Sequence, residues 1–251
     1  MKMAFRLVLV VIVLVGPTLT FCLGQSSPDI GALLEGISKT YQNASQYEVV
    51  ETMMMELNAG NAKGVNKSRV RIASQEPNKF RLESEDSNEI NGVPSEAFSP
   101  PMVIVGDGAD VWEESPAVNQ YRKVRPGDLP TIRAWVMGTE KSFFDLPLQL
   151  GRESRNAKFL REESLALDGN NIDCFVIKLI LPDHPESTTL WVEKTRFLVR
   201  RIRLEQGPDT QGRTGSITSD FPVVNIGVPL PESTFIFTPA RGAIEVDKVA
   251  P

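Results

Sequence analysis

Few residues in this chain can do chemistry, and their spacing speaks against most of it. The single histidine, His184, stands between Asp183 and Pro185. A serine or cysteine nucleophile would need it as a base, but no strand-end elbow of the GxSxG kind accompanies it, so it reads as an exposed loop histidine. Cys174 lies in the apolar run CFVIKLIL and reads as a small buried hydrophobe rather than a reactive thiol. Without CxxC or HxxxH spacing there is no ligand set for a transition metal, and without GxGxxG or GxxxxGK[ST] there is no phosphate cradle. A glycosidase would pair two carboxylates. The adjacent pairs Glu113-Glu114 and Glu162-Glu163 sit on candidate strands, where neighbours face opposite ways, and read as solvated faces. The expectation is a protein that is not an enzyme and needs no cofactor or metal.

The elements that would position these residues are mostly strands. From Val103 to Val124 the pattern is three short strands. Val103 and Val105 alternate, Asp107-Gly108 makes a hairpin turn, Ala109 to Glu113 is a second strand broken at Ser115-Pro116, and Asn119 to Val124 is a third. Two aromatics on these strands, Trp112 and Tyr121, have little beside them to bury them, so this sheet needs a cover. Upstream, Ile30, Leu33, Leu34, Ile37 and Tyr41 recur at helical spacing, which predicts one amphipathic helix over residues 29–44. From Gln46 the period becomes two, with Tyr47, Val49, Met53, Met55 and Leu57 on one face and Glu51 as the exception. Asn58 to Lys67 reads as a polar turn. Strands follow around Val70-Ile72 and Phe80-Leu82, and Ser84 to Pro101 reads as a polar loop.

Residues 127–151 break the β rhythm. Asp128-Leu129-Pro130-Thr131 suits a helix start, and Ile132, Trp135, Val136, Phe143, Phe144, Leu146, Leu148 and Leu150 make the segment rich in large apolar groups. Strands then resume: Phe159 to Leu167, Asp173 to Leu181, Thr188 to Glu193, Phe197 to Glu205, Gly215 to Phe221 and a last short one, Thr234 to Thr238. The sum is about ten strands and two or three helices, with no fixed-period repeat and no long internal linker.

The first residues read as an export signal: Lys2 and Arg6, the apolar run Leu7 to Val15, the break at Gly16-Pro17, and cleavage near Gly24. The run is too short to span a bilayer, which takes roughly 20 residues. A lipid anchor on Cys22 is the alternative, disfavoured by the bulk of Phe21. This divides the chain into a cleaved signal, 1–24, and one domain, 25–251. Cleavage leaves 25 basic against 32 acidic side chains, a net charge of −7, and Cys174 as the lone cysteine. Such a chain offers nucleic acid no electrostatic attraction. With no internal disulfide possible, its core must hold itself.

Several local patterns coincide in order: the N-terminal helix leading into a long strand, Pro77-Asn78-Lys79-Phe80, then Val105-Gly106-Asp107-Gly108 with Trp112, Pro116 and Gln120. Phe235-Ile236-Phe237-Thr238-Pro239 and Gly242 complete the set. In these the chain resembles the periplasmic lipoprotein-carrier (LolA-like) superfamily, over nearly the whole mature length. The resemblance implies a curved, incomplete antiparallel β-barrel with helices as a lid on its concave face. It also implies an apolar cavity between sheet and lid that accepts acyl chains of a lipid or lipoprotein. The residues it places at that cavity are Leu33, Leu34, Ile37, Tyr41, Trp112, Trp135, Phe143 and Phe144. Met53, Met55 and Met137 would let it repack around flexible chains. Glu76 departs from the pattern: the sorting carrier has an arginine before the strand-breaking proline that helps hold the lid shut, and an acid cannot donate those hydrogen bonds. A second expectation, from a different class, is an envelope-protein interaction module whose cavity is filled by its own side chains.

Overall fold

The computed structural model describes residues 28–42, 45–95, 100–132, 136, 138, 144–145, 147–148, 157–180 and 187–249. One helix, α1 (Ile30–Gln42), opens the described chain. Asp29 caps it, its carboxylate accepting the Gly31 amide at 2.8 Å and the Ala32 amide at 3.3 Å. After it come two long hairpin strands, β1 (Gln46–Ala59) and β2 (Ala62–Gln75), then β3 (Lys79–Ile90), β4 (Val93–Ser95), β5 (Met102–Asp107), β6 (Val111–Ser115) and β7 (Gln120–Lys123). After helical residues at 129–132, 136, 138, 144–145 and 147–148 come β8 (Ala157–Leu167), β9 (Asn170–Ile180), β10 (Ser187–Glu193), β11 (Val199–Gln206), β12 (Thr214–Ile226) and a two-residue β13 (Ile244–Glu245).

All thirteen strands belong to one sheet, in the order β13-β7-β6-β5-β3-β2-β1-β12-β11-β10-β9-β8, with β4 beside β3. Every pairing is antiparallel except β13 with β7. The pairing of β1 with β12 joins the chain's early and late strands, and the sheet curves but does not close, giving the expected incomplete barrel.

Register fixes what each face carries. Val224, Val49, Ile72, Leu82 and Ile104 are cross-strand neighbours in one row and all belong to the core. The next row runs Ile226, Tyr47, Ser74, Phe80, Gly106, Val111. Phe80 lays its ring over Gly106, where any Cβ would run into it. α1 covers this inner face with Leu33, Leu34, Ile37 and Tyr41, all nearly or wholly buried. The tight approach is local: a Cβ on Gly36 would lie 3.1 Å from the Phe197 ring. A smaller cluster of Leu165, Leu167, Cys174, Val176 and Trp191 stands apart from this core.

Three boundaries differ from the sequence expectation. The supposed turn at Asn58–Lys67 is strand on both sides of Gly60-Asn61, because Gly60, at φ 61°, lets two residues reverse the chain. The supposed loop from Ser84 is strand as far as Ile90, held by β2 and turned at Asn91-Gly92, both at positive φ. Its side chains are polar, and polar strands carry no apolar alternation to betray them. The last strand expected at Thr234–Thr238 is instead a 3-10 turn, Glu232–Phe235, followed by extended chain, with β13 further on. Among the described residues thirteen strands stand where about ten were expected: β4 and β13 are too short to show in the sequence pattern, while the two polar stretches lengthen β1, β2 and β3.

Candidate functional site

Moving from the covered core toward the hairpin ends, the inner face changes character row by row. The row Glu51, Val70, Ser84, Met102 comes first, then Ile202, Ser219, Met53, Ser68, Asp86. Next stand Leu204, Ile217, Met55, Asn66 and Asn88, and at the rim Gln206, Gly215, Leu57, Gly64 and Ile90. Two carboxyls, Glu51 and Asp86, lie in these rows. Burial pushes Glu51 above its ordinary value, partly offset by the Ser219 hydroxyl, and burial likewise raises Asp86, opposed by Ser68. Glu51 is thus the acid that breaks the apolar alternation of β1, and it breaks it on the inner face.

A hollow of about 120 Å³ opens among Met55, Leu57, Leu204, Gly215 and Ile217, with Glu56, Gln206 and Ser216 at its edge. Met53 and Met55 are half-buried, and Leu57 is exposed. No α1 side chain belongs to this hollow. A larger recess of about 530 Å³ lies across β2 and β3 among Arg69, Arg71, Glu83, Glu85, Met102, Val103 and Pro101. Its charges make it a poor place for an alkyl chain: Arg71 alone is held by Glu48 at 2.6 Å and Glu83 at 3.5 Å.

Phe144 joins α1 to the sheet. Its ring meets Tyr41 at 5.7 Å and Tyr47 at 4.7 Å, both edge-on. Leu129, Ile132 and Leu148 pack against the same core. The C-terminal end of α1 is tied down by side chains. The Tyr41 hydroxyl accepts the Val199 amide at 3.1 Å, and the Thr40 hydroxyl donates to the Arg196 carbonyl at 3.3 Å. Ser38 donates to the Leu148 carbonyl at 3.4 Å. Beneath lies a buried ion pair, Glu193 with Arg200 at 2.8 Å. Burial opposes ionisation of Glu193, but Arg196, Thr195 and Arg200 together outweigh it and hold its carboxyl below the ordinary value. Burial pushes Tyr41 up to about 12, against the opposing hydrogen bond from Val199.

The expected site residues therefore divide. Leu33, Leu34, Ile37, Tyr41 and Phe144 come together at the covered end, and Met53 and Met55 lie further along the same face. Trp112 stands apart from both groups. It is the neighbour of core residue Val111 on β6 and so faces the other way, stacked on Phe237 at 5.3 Å with Tyr121 beside them. The cover those aromatics needed is the C-terminal segment. Trp135, Phe143 and Met137 lie outside the described residues, as do His184, Cys22 and the signal region. Glu76 is exposed in the β2–β3 turn, its amide bonded to the Ser45 carbonyl at 3.1 Å. Sequence reading missed Leu204 and Ile217; both sit at alternating positions, but only register puts them opposite Met55.

No family model matches the chain, and no curated protein matches it. Solved structures do. A domain from Vibrio parahaemolyticus named for outer membrane lipoprotein sorting is 13% identical over 80% of this chain and 94% of that one, with a TM-score of 0.28. A LolA superfamily protein from Nitrosomonas europaea is 14% identical over 84% and 99%, with a TM-score of 0.25. A chain of the Pseudomonas aeruginosa MucA/MucB complex is 10% identical over 84% and 62%, with a TM-score of 0.34. What the described residues themselves show is the open, curved antiparallel sheet set out above.

Proposed function

We propose that this chain is a non-enzymatic periplasmic carrier that holds an acyl chain of a lipid or lipoprotein against the inner face of its sheet. In this reading residues 1–24 are the export signal and 25–251 the carrier domain. The observation that carries it is the apolar stretch Met53, Met55, Leu57, Leu204 and Ile217, which continues the core's face beyond α1, all but Met53 lining a hollow. Each methylene moved from water onto such a surface is worth about 0.8 kcal/mol, so an alkyl chain is retained with few polar contacts. The two methionines adapt to chains of different shape. Leu33, Leu34, Ile37, Tyr41 and Phe144 form the packed end against which the chain would lie, with Trp135 and Phe143 completing the lid. Delipidated protein titrated with a fluorescent fatty acid tests it. Saturable binding that Ile217→Asp or Phe144→Asp weakens at least about tenfold, with folding retained, is the expected result. A signal that never saturates overturns it.

A second reading is a protein-interaction module with a filled interior. The full burial of Leu34 and Ile37 of α1 against the sheet favours it. Absence of fatty-acid binding in the same titration, together with capture of a protein partner, is its expected outcome.

A further inference from the structure

The C-terminal segment is anchored in one part and loose in the next. Phe235 is buried, Phe237 stacks on Trp112, Arg81 donates to the Thr234 carbonyl at 3.5 Å, and the Ala240 amide donates to the buried Glu114 carboxylate at 3.0 Å. Beyond this the hold weakens. Gly242 turns at φ 84°, a conformation that favours glycine, and its carbonyl accepts the Asn119 side chain at 2.8 Å. The next residues pair in parallel with β7 over just two residues, with the Ile244 amide donating to the Asn119 carbonyl at 3.0 Å and the Val246 amide to the Tyr121 carbonyl at 2.9 Å. Ile244 is 65% exposed. The ion pair of Arg125 with Asp247, 2.7 Å long, is formed by side chains 62% and 93% exposed, where such a pair contributes little.

β7 is where the sheet would end without this strand, and a bare edge is a template for pairing. Its other cations are already engaged from within. Arg122 pairs with Glu113 and Asp128, and Lys123 with Asp110. Arg125 pairs with Asp247 of the tail.

We infer that residues 243–247 are a displaceable strand, and that the β7 edge beneath them takes an extended acidic segment of a partner protein in their place. The tail displays what the edge accepts: a parallel strand alternating Ile244 and Val246 with Glu245 and Asp247, its acids near Arg125. A partner strand longer than this one adds ladder hydrogen bonds that the tail does not make, and Gly242 is the point about which the tail swings away. This does not depend on acyl binding.

The test uses the full chain with Ile244→Pro and Val246→Pro, which removes both amide donors from the edge while leaving Phe235 and Phe237 in place. The probe is a fluorescein-labelled peptide of residues 242–249, followed by anisotropy. The double variant is expected to bind it saturably and the wild type at least about tenfold more weakly, because the tethered tail competes at high effective concentration. Adding Arg125→Glu to the variant is expected to weaken binding by a small factor, and raised salt to weaken it likewise. Equal binding by wild type and variant overturns the inference, as does no binding by a variant whose circular dichroism and melting match the wild type. Sedimentation of the wild type as a dimer that exchanges tails overturns the partner assignment, since the occupant is then a second copy.

Discussion

Glu193 and Arg200 are the side chains whose removal has the clearest cost. Arg200 also donates to the Phe221 carbonyl at 3.1 Å, so the pair ties β10, β11 and β12 together under the end of α1. Truncating Glu193 to alanine leaves a buried guanidinium without its counter-charge, and a loss of about 3–5 kcal/mol in urea unfolding is expected. The Tyr41 phenol works in the alkaline range. Its folded pKa, pushed up to about 12 by burial, exceeds the ordinary tyrosine value of 10.0 that the unfolded chain has, so between those values the native state binds more protons than the unfolded one. Tyr41 therefore contributes stability that is complete below pH 10 and lost as pH rises toward 12. Tyr41→Phe should cost about 1 kcal/mol at neutral pH through the lost Val199 hydrogen bond, and should melt with a shallower alkaline decline than the wild type. Cys174 is wholly buried, with its thiol pushed up to about 12 by burial. Native protein should react with a thiol reagent far more slowly than urea-unfolded protein; equal rates would contradict its placement. The sequence already pointed to that inert thiol, since an apolar run around a lone cysteine is what burial requires.

Among the elements, β5 and β3 show how a glycine directs packing. Gly106 has no side chain because Phe80, directly across the ladder, occupies the space one would need. Gly106→Ala should overpack the core and cost about 1–3 kcal/mol by thermal melting, with the far-ultraviolet spectrum preserved. α1 was legible at nearly its true length, because five apolar residues at helical spacing and Asp29 before them leave little freedom. β1 was legible on its apolar half and misread at its tip. β3 beyond Glu83 was not legible at all: Glu85 and Ser87 face outward, Asp86 and Asn88 face the inner surface, and both sets are polar. What makes that segment a strand is the partner β2, not anything in its own composition. Among the site candidates the same divide holds. Met53 and Met55 could be placed on the core's face from their alternation with Val49, whereas Trp112 was read toward the cavity for want of knowledge of what covers it.

For the whole molecule, α1 and the side chains of Leu129, Ile132, Phe144 and Leu148 cover one end of the inner face, while among the described residues the hollow at Met55 and Ile217 lies clear of them. If the ligand is an acyl chain, affinity should rise with chain length by up to about 0.8 kcal/mol per methylene until the hollow and its adjoining face are filled, then level off. A titration series of fatty acids from eight to eighteen carbons measures this; affinity independent of length would set the carrier reading aside. The sequence by itself determined that the chain is mainly antiparallel β with an amphipathic helix at its start, and that its only described cysteine is inert. It also determined that no spacing in it suits metal or phosphate chemistry. These follow from local rules: the period of apolar residues, the residues that allow turns, and the ligand spacings a metal requires. Only the tertiary structure decided which strands are neighbours. β1 meets β12 across more than 150 residues of chain, and that pairing brings Met55 beside Ile217. It likewise decided that the C-terminal segment, not a lid, covers Trp112. Register and long-range contact depend on how whole faces of different segments fit together, and no single segment carries that information.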